Sequence, residues 1–302
     1  MSRNLRLFFS GFFVSVLFFL GINLSIKNLE GFFASEIYQL HNQPLLAQAN
    51  TLNFVRTKKE IPEIGAKSAI SIKINREGQR KVIFEKNPDE ILPIASLTKL
   101  MTAFVTLEYY NSSDKVIISD EAVSQPENFG QLKIGQQLSV ENLLYTTLIE
   151  SSNDSAYALS ELITEQAFVD LMNIKAKRLD LKNTRYTDPA GYDPGDRSNT
   201  KDLVAFAEYI LNNKPEIWEI TTHPEFNLYD PDGVFHHQLL NTDEILSEFP
   251  QIIGGKTGYT TAARGCLIIL LKNNRTGDTF FNVVLGSEDR FGDMRKLIEY
   301  AL

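Results

Sequence analysis

Ser96 and Lys99 are two residues of this sequence whose types and spacing could carry out covalent chemistry. They stand three positions apart at the start of an apolar stretch of helical periodicity, so a helix would place the hydroxyl and the amine on one face. A serine becomes a nucleophile only beside a base, and a lysine serves as that base when its surroundings lower its pKa. The pair predicts acyl transfer through a serine ester, although the same spacing also arises by chance in helices capped by serine.

Two clusters farther along the chain contain other groups that such a reaction needs. Ser151-Ser152-Asn153 lies in a polar break between two helical patterns, where a hydroxyl can relay a proton and an amide can bind a carbonyl. Gly254-Gly-Lys-Thr-Gly258 precedes a strand-like run, and its lysine and threonine offer a cation and a hydroxyl to a carboxylate. A phosphate-binding loop is excluded at Lys256, because Pro250 stands where that motif requires glycine and no helix follows.

The order of these three clusters is that of the penicillin-recognising serine hydrolases, and the sequence resembles the D-alanyl-D-alanine carboxypeptidases among them. The resemblance covers roughly residues 65 to 302. Five segments carry it: Pro93–Ala103, Leu138–Tyr145, Ser152–Asp154, Asn241–Thr242 and Gly255–Thr260. It implies a serine-type D-Ala-D-Ala carboxypeptidase that acts on peptidoglycan stem peptides through an acyl-enzyme and that β-lactam antibiotics inhibit covalently.

The resemblance also implies roles for individual residues of this sequence. Ser96 would be acylated and Lys99 would be its base, while Ser151 and Asn153 would relay the proton and hold the substrate. The implied substrate-binding residues are Lys256, Thr257, Gly258, Tyr259 and Arg290. A surface ion pair is the alternative for Arg290. The backbone N–H groups of Ser96 and Tyr259 would form the oxyanion hole.

Three other functions stay open from the sequence. A D,D-endopeptidase that cuts peptide cross-links would use the same chemistry, and compact relatives of this kind include such enzymes. A β-lactamase needs a glutamate downstream of the middle cluster to activate water, but no glutamate occurs between Gln166 and Ala207, so slow release of bound penicillin is expected. A non-catalytic wall-binding module is the third alternative.

The hydrophobic pattern around the clusters predicts an α+β domain. Apolar and polar residues alternate from Ile70 to Ile74, and strand-like runs return at Cys266–Lys272 and Thr279–Leu285. The pattern between them, at about 114–245, is mostly helical. Together with the resemblance, this predicts a β-lactamase/transpeptidase-like fold, in which a mostly antiparallel sheet is flanked by helices and 114–245 forms a helical subdomain.

The amino-terminal stretch Leu7–Ile26 carries no formal charge and is long enough to span a membrane. Arg3 and Arg6 precede it, which orients the amino terminus toward the cytoplasm and places the catalytic domain outside the bacterial cell membrane. A cleaved signal peptide is the alternative. The expected division is an anchor or signal segment at 1–27, a tether at 28–64 and the penicillin-binding domain at 65–302.

Composition narrows the classes of partner and cofactor. The net charge of −8 argues against a nucleic-acid partner. Cys266 is the only cysteine, so the chain forms no internal disulfide, and its apolar surroundings predict a buried core residue. His223 and the pair His236–His237 lack metal-ligand spacing and are predicted to be loop or surface residues. The expected chemistry requires no metal and no organic cofactor.

Overall fold

The computed structural model of the protein describes residues 60–127 and 130–302. The strands in this part of the chain are β1 (Ser68–Ile74), β2 (Arg80–Lys86), β3 (Leu92–Pro93), β4 (Lys115–Ile117), β5 (Gln137–Ser139), β6 (Arg197–Ser198), β7 (Glu225–Tyr229), β8 (Phe235–Leu240), β9 (Ile252–Thr260), β10 (Arg264–Lys272) and β11 (Thr279–Ser287). The helices are a 3-10 helix (Ala95–Thr98), α1 (Lys99–Tyr109), α2 (Asp120–Val123), α3 (Val140–Leu148), α4 (Asn153–Ser160), α5 (Glu165–Arg178), α6 (Thr200–Asn213), α7 (Glu216–Thr221) and α8 (Arg290–Ala301).

The five longest strands form one antiparallel sheet in the order β2-β1-β11-β10-β9. Strands from the two ends of the described chain meet in it, since Ser68 of β1 pairs with Leu285 of β11. Strand β9 forms one edge, where Gly258 pairs with Cys266 of β10. An antiparallel sheet combined with helices is the predicted architecture, and the α+β fold class is confirmed.

Apolar cores lie on both faces of this sheet, which explains why its central strands are hydrophobic without alternation. Successive residues of β10 point to opposite faces. Cys266, Ile268 and Leu270 join the larger core, whereas Leu267 and Ile269 join the smaller one. Cys266 is fully buried, as the sequence predicts.

Helix α1 carries the predicted nucleophile segment into the larger core. Its residues Leu100, Met101 and Phe104 are buried there, and the helix contacts α3, α4 and α5. The 3-10 helix that precedes it contacts β9 and β10. The first turn of α1 is therefore held between the edge of the sheet and the helices, which is where the three motif clusters must meet if they act together.

The middle of the described chain contains α2 to α7, but it also contains the short β4–β5 pair and the β7–β8 hairpin. The hairpin is a difference from the mostly helical pattern expected there. The turn sequence Asp230-Pro-Asp-Gly233 between two aromatic stretches was the signal for it. The extent of a helical subdomain and the domain boundaries stay predictions.

The predicted anchor, residues 1–27, and most of the predicted tether lie outside the described residues. Within 60–127 and 130–302, none of the helices combines the length and the apolar composition that crossing a membrane would require.

Candidate active site

The side chains of Ser96 and Lys99 meet where the 3-10 helix runs into α1. Lys99 Nζ lies 2.9 Å from Ser96 Oγ, 2.7 Å from Asn153 Oδ1 and 2.7 Å from the carbonyl oxygen of Ala190. The two carbonyl-type oxygens can only accept hydrogen bonds. A neutral amine therefore donates its two hydrogens to them and keeps its lone pair for the Ser96 hydroxyl. This arrangement can remove a proton from Ser96.

Burial lowers the pKa of Lys99 to about 7. The side chain is fully buried, and the loss of hydration disfavours its charged form. The carboxyl groups of Asp188, Glu127 and Asp196 act in the opposite direction but are outweighed. A large share of the amine is consequently uncharged near neutral pH, as a general base must be.

Asn153 is oriented by its own neighbours at the start of α4. Ser152 caps this helix, because its hydroxyl accepts a hydrogen bond from the N–H of Ser155. The Asn153 amide nitrogen donates to the carbonyl of Pro126 at 2.7 Å, which turns Oδ1 toward Lys99. Its orientation is thus set by contacts on both sides of the amide.

Ser151 connects this helical break to strand β9. Its φ of +66° is a left-handed backbone conformation, which is uncommon outside glycine, and its hydroxyl accepts a hydrogen bond from Lys256 Nζ at 2.8 Å. Lys256 also donates to the carbonyl of Thr257. Burial, with the charges of Lys99 and Arg290, lowers the pKa of Lys256 well below its ordinary value.

Strand β9 comes closest to the nucleophile at Gly258. A Cβ at this position would lie 2.9 Å from the backbone nitrogen of Ser96 and 3.1 Å from Ala95 Cβ, so only glycine fits without movement. The preceding residue, Thr257, has its hydroxyl oxygen 2.5 Å from that of Thr242. The edge of the sheet therefore brings the backbone of Gly258 up to the Ser96 N–H, and the preceding residue contributes a hydroxyl group that contacts Thr242.

A cavity of about 490 Å³ opens in front of these groups. Its wall includes members of all three clusters and the loop before β9: Ser96, Ser151, Asn153, Thr242, Thr257 and Tyr259. Arg290 also lines it, where its guanidinium donates to the carbonyl of Gly258 and lies over the Phe291 ring. Lys99 and Lys256 are buried behind this wall. The three clusters thus converge on one cleft.

A family described as D-alanyl-D-alanine carboxypeptidase, within the S11 peptidases, matches residues 55–289 of the chain. The chain belongs to this family. The family predicted from the three clusters is confirmed, and with it the class of enzyme, a serine-type D-Ala-D-Ala peptidase.

Relatives of this S11 family member carry two kinds of name. The chain is 31% identical over 254 residues to D-alanyl-D-alanine carboxypeptidase DacF of Bacillus subtilis, with 80% of this chain and 64% of DacF covered. It is 32% identical over 227 residues to a D-alanyl-D-alanine endopeptidase of Pseudomonas aeruginosa, with 71% of this chain and 69% of that protein covered. The chain therefore spans about two thirds of the length of each relative.

The fold of this family member is similar to that of a mutant of the Streptomyces K15 DD-transpeptidase. The two structures superimpose with a TM-score of 0.72 at 26% identity, over 80% of this chain and all of the other. The predicted β-lactamase/transpeptidase-like fold is confirmed.

The cleft also contains a polar side chain, Glu150, whose pairing with His237 the sequence motifs did not predict. Glu150 lines the cavity, and its two carboxyl oxygens lie 3.2 and 3.3 Å from Nε2 of His237. Burial raises the pKa of Glu150 to about 7 and lowers the pKa of His237. The prediction that His237 is a loop or surface residue is wrong, because the residue is buried in β8, a strand that the sequence pattern did not predict.

Proposed function

We propose that the protein is a serine-type D-Ala-D-Ala carboxypeptidase that removes the terminal D-alanine from peptidoglycan stem peptides. The observation that carries this proposal is the buried Lys99 amine, 2.9 Å from Ser96 Oγ and hydrogen-bonded on its other sides to Asn153 and Ala190. An amine oriented in this way is a base for the Ser96 hydroxyl.

The first half of the proposed reaction forms the acyl-enzyme. Ser96 Oγ attacks the carbonyl carbon of the penultimate D-alanine while Lys99 takes the hydroxyl proton. The N–H groups of Ser96 and Tyr259 hold the negative charge on the carbonyl oxygen, and such donors contribute about 3 kcal/mol each. The C–N bond then breaks, the leaving amine receives a proton through Ser151, and Lys99 returns to its neutral form.

The second half releases the shortened peptide. Lys99 takes a proton from water as the water oxygen attacks the ester carbonyl, and it returns that proton to Ser96 Oγ when the ester bond breaks. One water is consumed, and the products are the shortened peptide and D-alanine. The same amine therefore serves both halves, which explains why no second base is required.

The terminal carboxylate of the substrate is proposed to bind at the β9 end of the cleft. The hydroxyl groups of Thr257 and Thr242 and the guanidinium of Arg290 line this part of the cavity. Lys256 is buried behind it and acts through its hydrogen bond to Ser151. Gly258 and Tyr259 supply the backbone along which the peptide would lie.

Covalent labelling of the full-length protein in detergent with a fluorescent penicillin tests this mechanism. The parent should become labelled, and Ser96→Ala should not, because the ester cannot form without the hydroxyl. Ser113→Ala, which alters an exposed serine, is the matched control and should label like the parent. Equal labelling of Ser96→Ala and the parent would contradict the proposal, as would labelling of neither.

The relative named as an endopeptidase supports a second candidate, cleavage of peptide cross-links by the same cleft. Release of D-alanine from a pentapeptide is compared with cleavage of a cross-linked dimer, using one preparation. We expect D-alanine release to be faster. Faster cleavage of the dimer would show that the protein is an endopeptidase. Turnover of neither substrate would indicate a non-catalytic wall-binding module.

β-Lactam antibiotics are proposed as covalent inhibitors rather than substrates of this protein. The loop from Thr187 to Asn199, which contacts Lys99 through Ala190, contains no glutamate that could activate water as in a β-lactamase. The penicillin ester on Ser96 should therefore last much longer than one turnover of the peptide substrate. Rapid return of peptidase activity after a penicillin pulse would indicate a β-lactamase.

We propose that residues 1–27 anchor the protein in the bacterial cell membrane and that the peptidase domain works outside it. The apolar stretch Leu7–Ile26, preceded by Arg3 and Arg6, supports this location. Deletion of residues 1–27 should move the protein from the membrane fraction to the soluble fraction. An unchanged distribution would contradict the anchor.

A further inference from the structure

The loop between α5 and α6 supplies the carbonyl that contacts Lys99, and Asp188 shapes this loop. Asp188 Oδ1 accepts hydrogen bonds from the N–H groups of Ala190 at 2.6 Å and Gly191 at 2.5 Å, and Oδ2 accepts one from Asp193 N–H at 2.6 Å. The side chain is buried. One carboxylate thus ties three backbone groups together and determines the direction of the Ala190 carbonyl.

Contacts with the nucleophile segment hold the same loop in place. Gly191 has a φ of +82°, and a Cβ there would collide with the backbone carbonyl of Ala95. Thr102 of α1 donates a hydrogen bond to the carbonyl of Pro189 at 2.5 Å. Because the loop is in direct contact with the residues around Ser96, a change in its conformation would alter the surroundings of Lys99.

A second carboxyl, that of Asp196, is buried within the same loop. Its Oδ1 accepts hydrogen bonds from the backbone N–H and the hydroxyl of Thr187. Burial and the charge of Asp188 raise the pKa of Asp196 to about 7. The negative charge of Asp188 therefore favours the protonated, uncharged form of Asp196.

We propose that Asp188 is a positioning residue for Lys99. It holds the Ala190 carbonyl against one hydrogen of the amine, so that the lone pair stays directed at Ser96, and its negative charge stabilises the ammonium group that forms when Ser96 loses its proton. The inference rests on the proposed function, in which Lys99 is the base.

Several charges act on Lys99 together with Asp188, and they determine which variants are informative. Glu127 and Asp196 also raise the pKa of Lys99, and the charge of Lys99 in turn lowers the pKa of Lys256. Removal of the Asp188 charge alone also lowers the pKa of Asp196, which then ionises and replaces part of the lost charge. A double variant avoids this compensation.

The test measures the rate of penicillin acylation of the full-length protein in detergent from about pH 5 to about pH 9. In the parent the rate should rise with a midpoint near the Lys99 pKa, about 7. Asp188→Asn retains an acceptor for Ala190 and Gly191 but has no charge, so the midpoint should move to lower pH. Asp188→Asn combined with Asp196→Asn should move it further, by about one pH unit in total.

Asp193→Asn is the matched control in the same loop. Its side chain is exposed and accepts a hydrogen bond from Gly195 N–H, which asparagine can also do. The acylation rate of Asp193→Asn should have the same pH midpoint as that of the parent. Asp188→Ala removes all three loop hydrogen bonds, so it should lower the plateau rate as well as the midpoint.

The proposal would be overturned if the pH midpoint of acylation were the same in the parent, in Asp188→Asn and in the double variant. A fall in the plateau rate alone would not support it, because a loop with a purely structural role would change the rate without moving the midpoint. If Asp188→Ala does not fold, the asparagine variants still decide the question because they preserve two of the hydrogen bonds. Absence of acylation in the parent at every pH would contradict the proposed function and the role of Asp188 together. Normal acylation of the parent with unmoved midpoints would contradict the role of Asp188 only.

Discussion

At the scale of single residues, the surroundings of Lys99 explain why a large share of its amine is uncharged near neutral pH. Its amine is fully buried, and its contacts consist of one hydroxyl, one amide oxygen and one backbone carbonyl. None of these is a carboxylate, so the ammonium form lacks a directly bonded counter-charge. Burial therefore dominates and the pKa falls to about 7.

Replacement of Lys99 by methionine should remove the base while preserving most of the buried volume. We expect Lys99→Met to lower the rate of penicillin acylation by about 10²- to 10⁴-fold, the usual contribution of a general base. The melting temperature should change little, because the burial of an apolar chain of similar length offsets the loss of the hydrogen bonds to Asn153 and Ala190. An acylation rate equal to that of the parent would remove Lys99 as the base.

Thr257 offers a second test at this scale. Thr257→Val keeps the shape of the side chain but removes the hydroxyl that lines the cavity and contacts Thr242. We expect kcat/KM for a peptide with a free terminal carboxylate to fall about tenfold, mainly through KM. Thr261→Val, at an exposed position beyond the end of β9, is the control and should behave like the parent. An unchanged KM in Thr257→Val would contradict carboxylate binding at this hydroxyl.

At the scale of elements, the site depends on the contact between strand β9 and the 3-10 helix. Neighbouring strand residues point to opposite faces, so β9 buries Lys256 beneath the cleft and presents Thr257 to it. Since β9 is the edge of the five-stranded sheet, one side of its backbone pairs with β10 and the other faces Ser96. The distance between these two elements sets the width of the proposed oxyanion hole.

Gly258→Ala tests this distance. The added methyl group would meet the backbone nitrogen of Ser96 and the carbonyl of Ile94, which cannot rotate away as a side chain could. We expect the unfolding free energy to fall by about 1–3 kcal/mol, and acylation to slow by at least about tenfold because β9 must move.

Thr261→Ala, in the exposed connection from β9 to β10, is the control for both measurements and should leave stability and acylation close to the parent values. A Gly258→Ala protein that is destabilised but acylated at the parent rate would show that the close approach serves packing alone.

At the scale of the whole molecule, several buried carboxyls make stability depend on pH. Burial raises the pKa of Glu150, Asp154 and Asp196 to about 7 and that of Asp243 to about 6. Between their ordinary values and these raised values, the folded state binds more protons than the unfolded state, so the unfolding free energy falls as pH rises. Lys99, whose pKa is lowered, has the opposite effect, but only above about pH 7.

Asp154 is the clearest single contributor, because no other residue among those described donates a hydrogen bond to either of its buried carboxyl oxygens. The melting temperature of the parent should decrease from about pH 5 to about pH 7.5, and Asp154→Asn should reduce that decrease. Asp232→Asn, at an exposed turn position, should keep the parental slope. An equal slope in Asp154→Asn and the parent would contradict the contribution of Asp154.

The amino-acid sequence by itself determined the arrangement of functional residues that lie within a few positions of one another along the chain. Ser96 and Lys99 are three residues apart, so any helix brings them together, and the register of a strand separates Lys256 from Thr257. The same local order identified the family, the fold class and the buried Cys266. The roles of the individual residues and the membrane anchor remain predictions that the proposed experiments test.

Only the tertiary structure decided which distant groups complete the cleft. The Ala190 carbonyl, the Asp188 carboxylate behind it and the Glu150–His237 pair belong to loops and a hairpin whose sequences carry no catalytic motif. A backbone carbonyl has no signature in a sequence, because every residue possesses one. Its position beside Lys99 follows from a loop that is separated from Lys99 along the chain but packed against it in the folded protein.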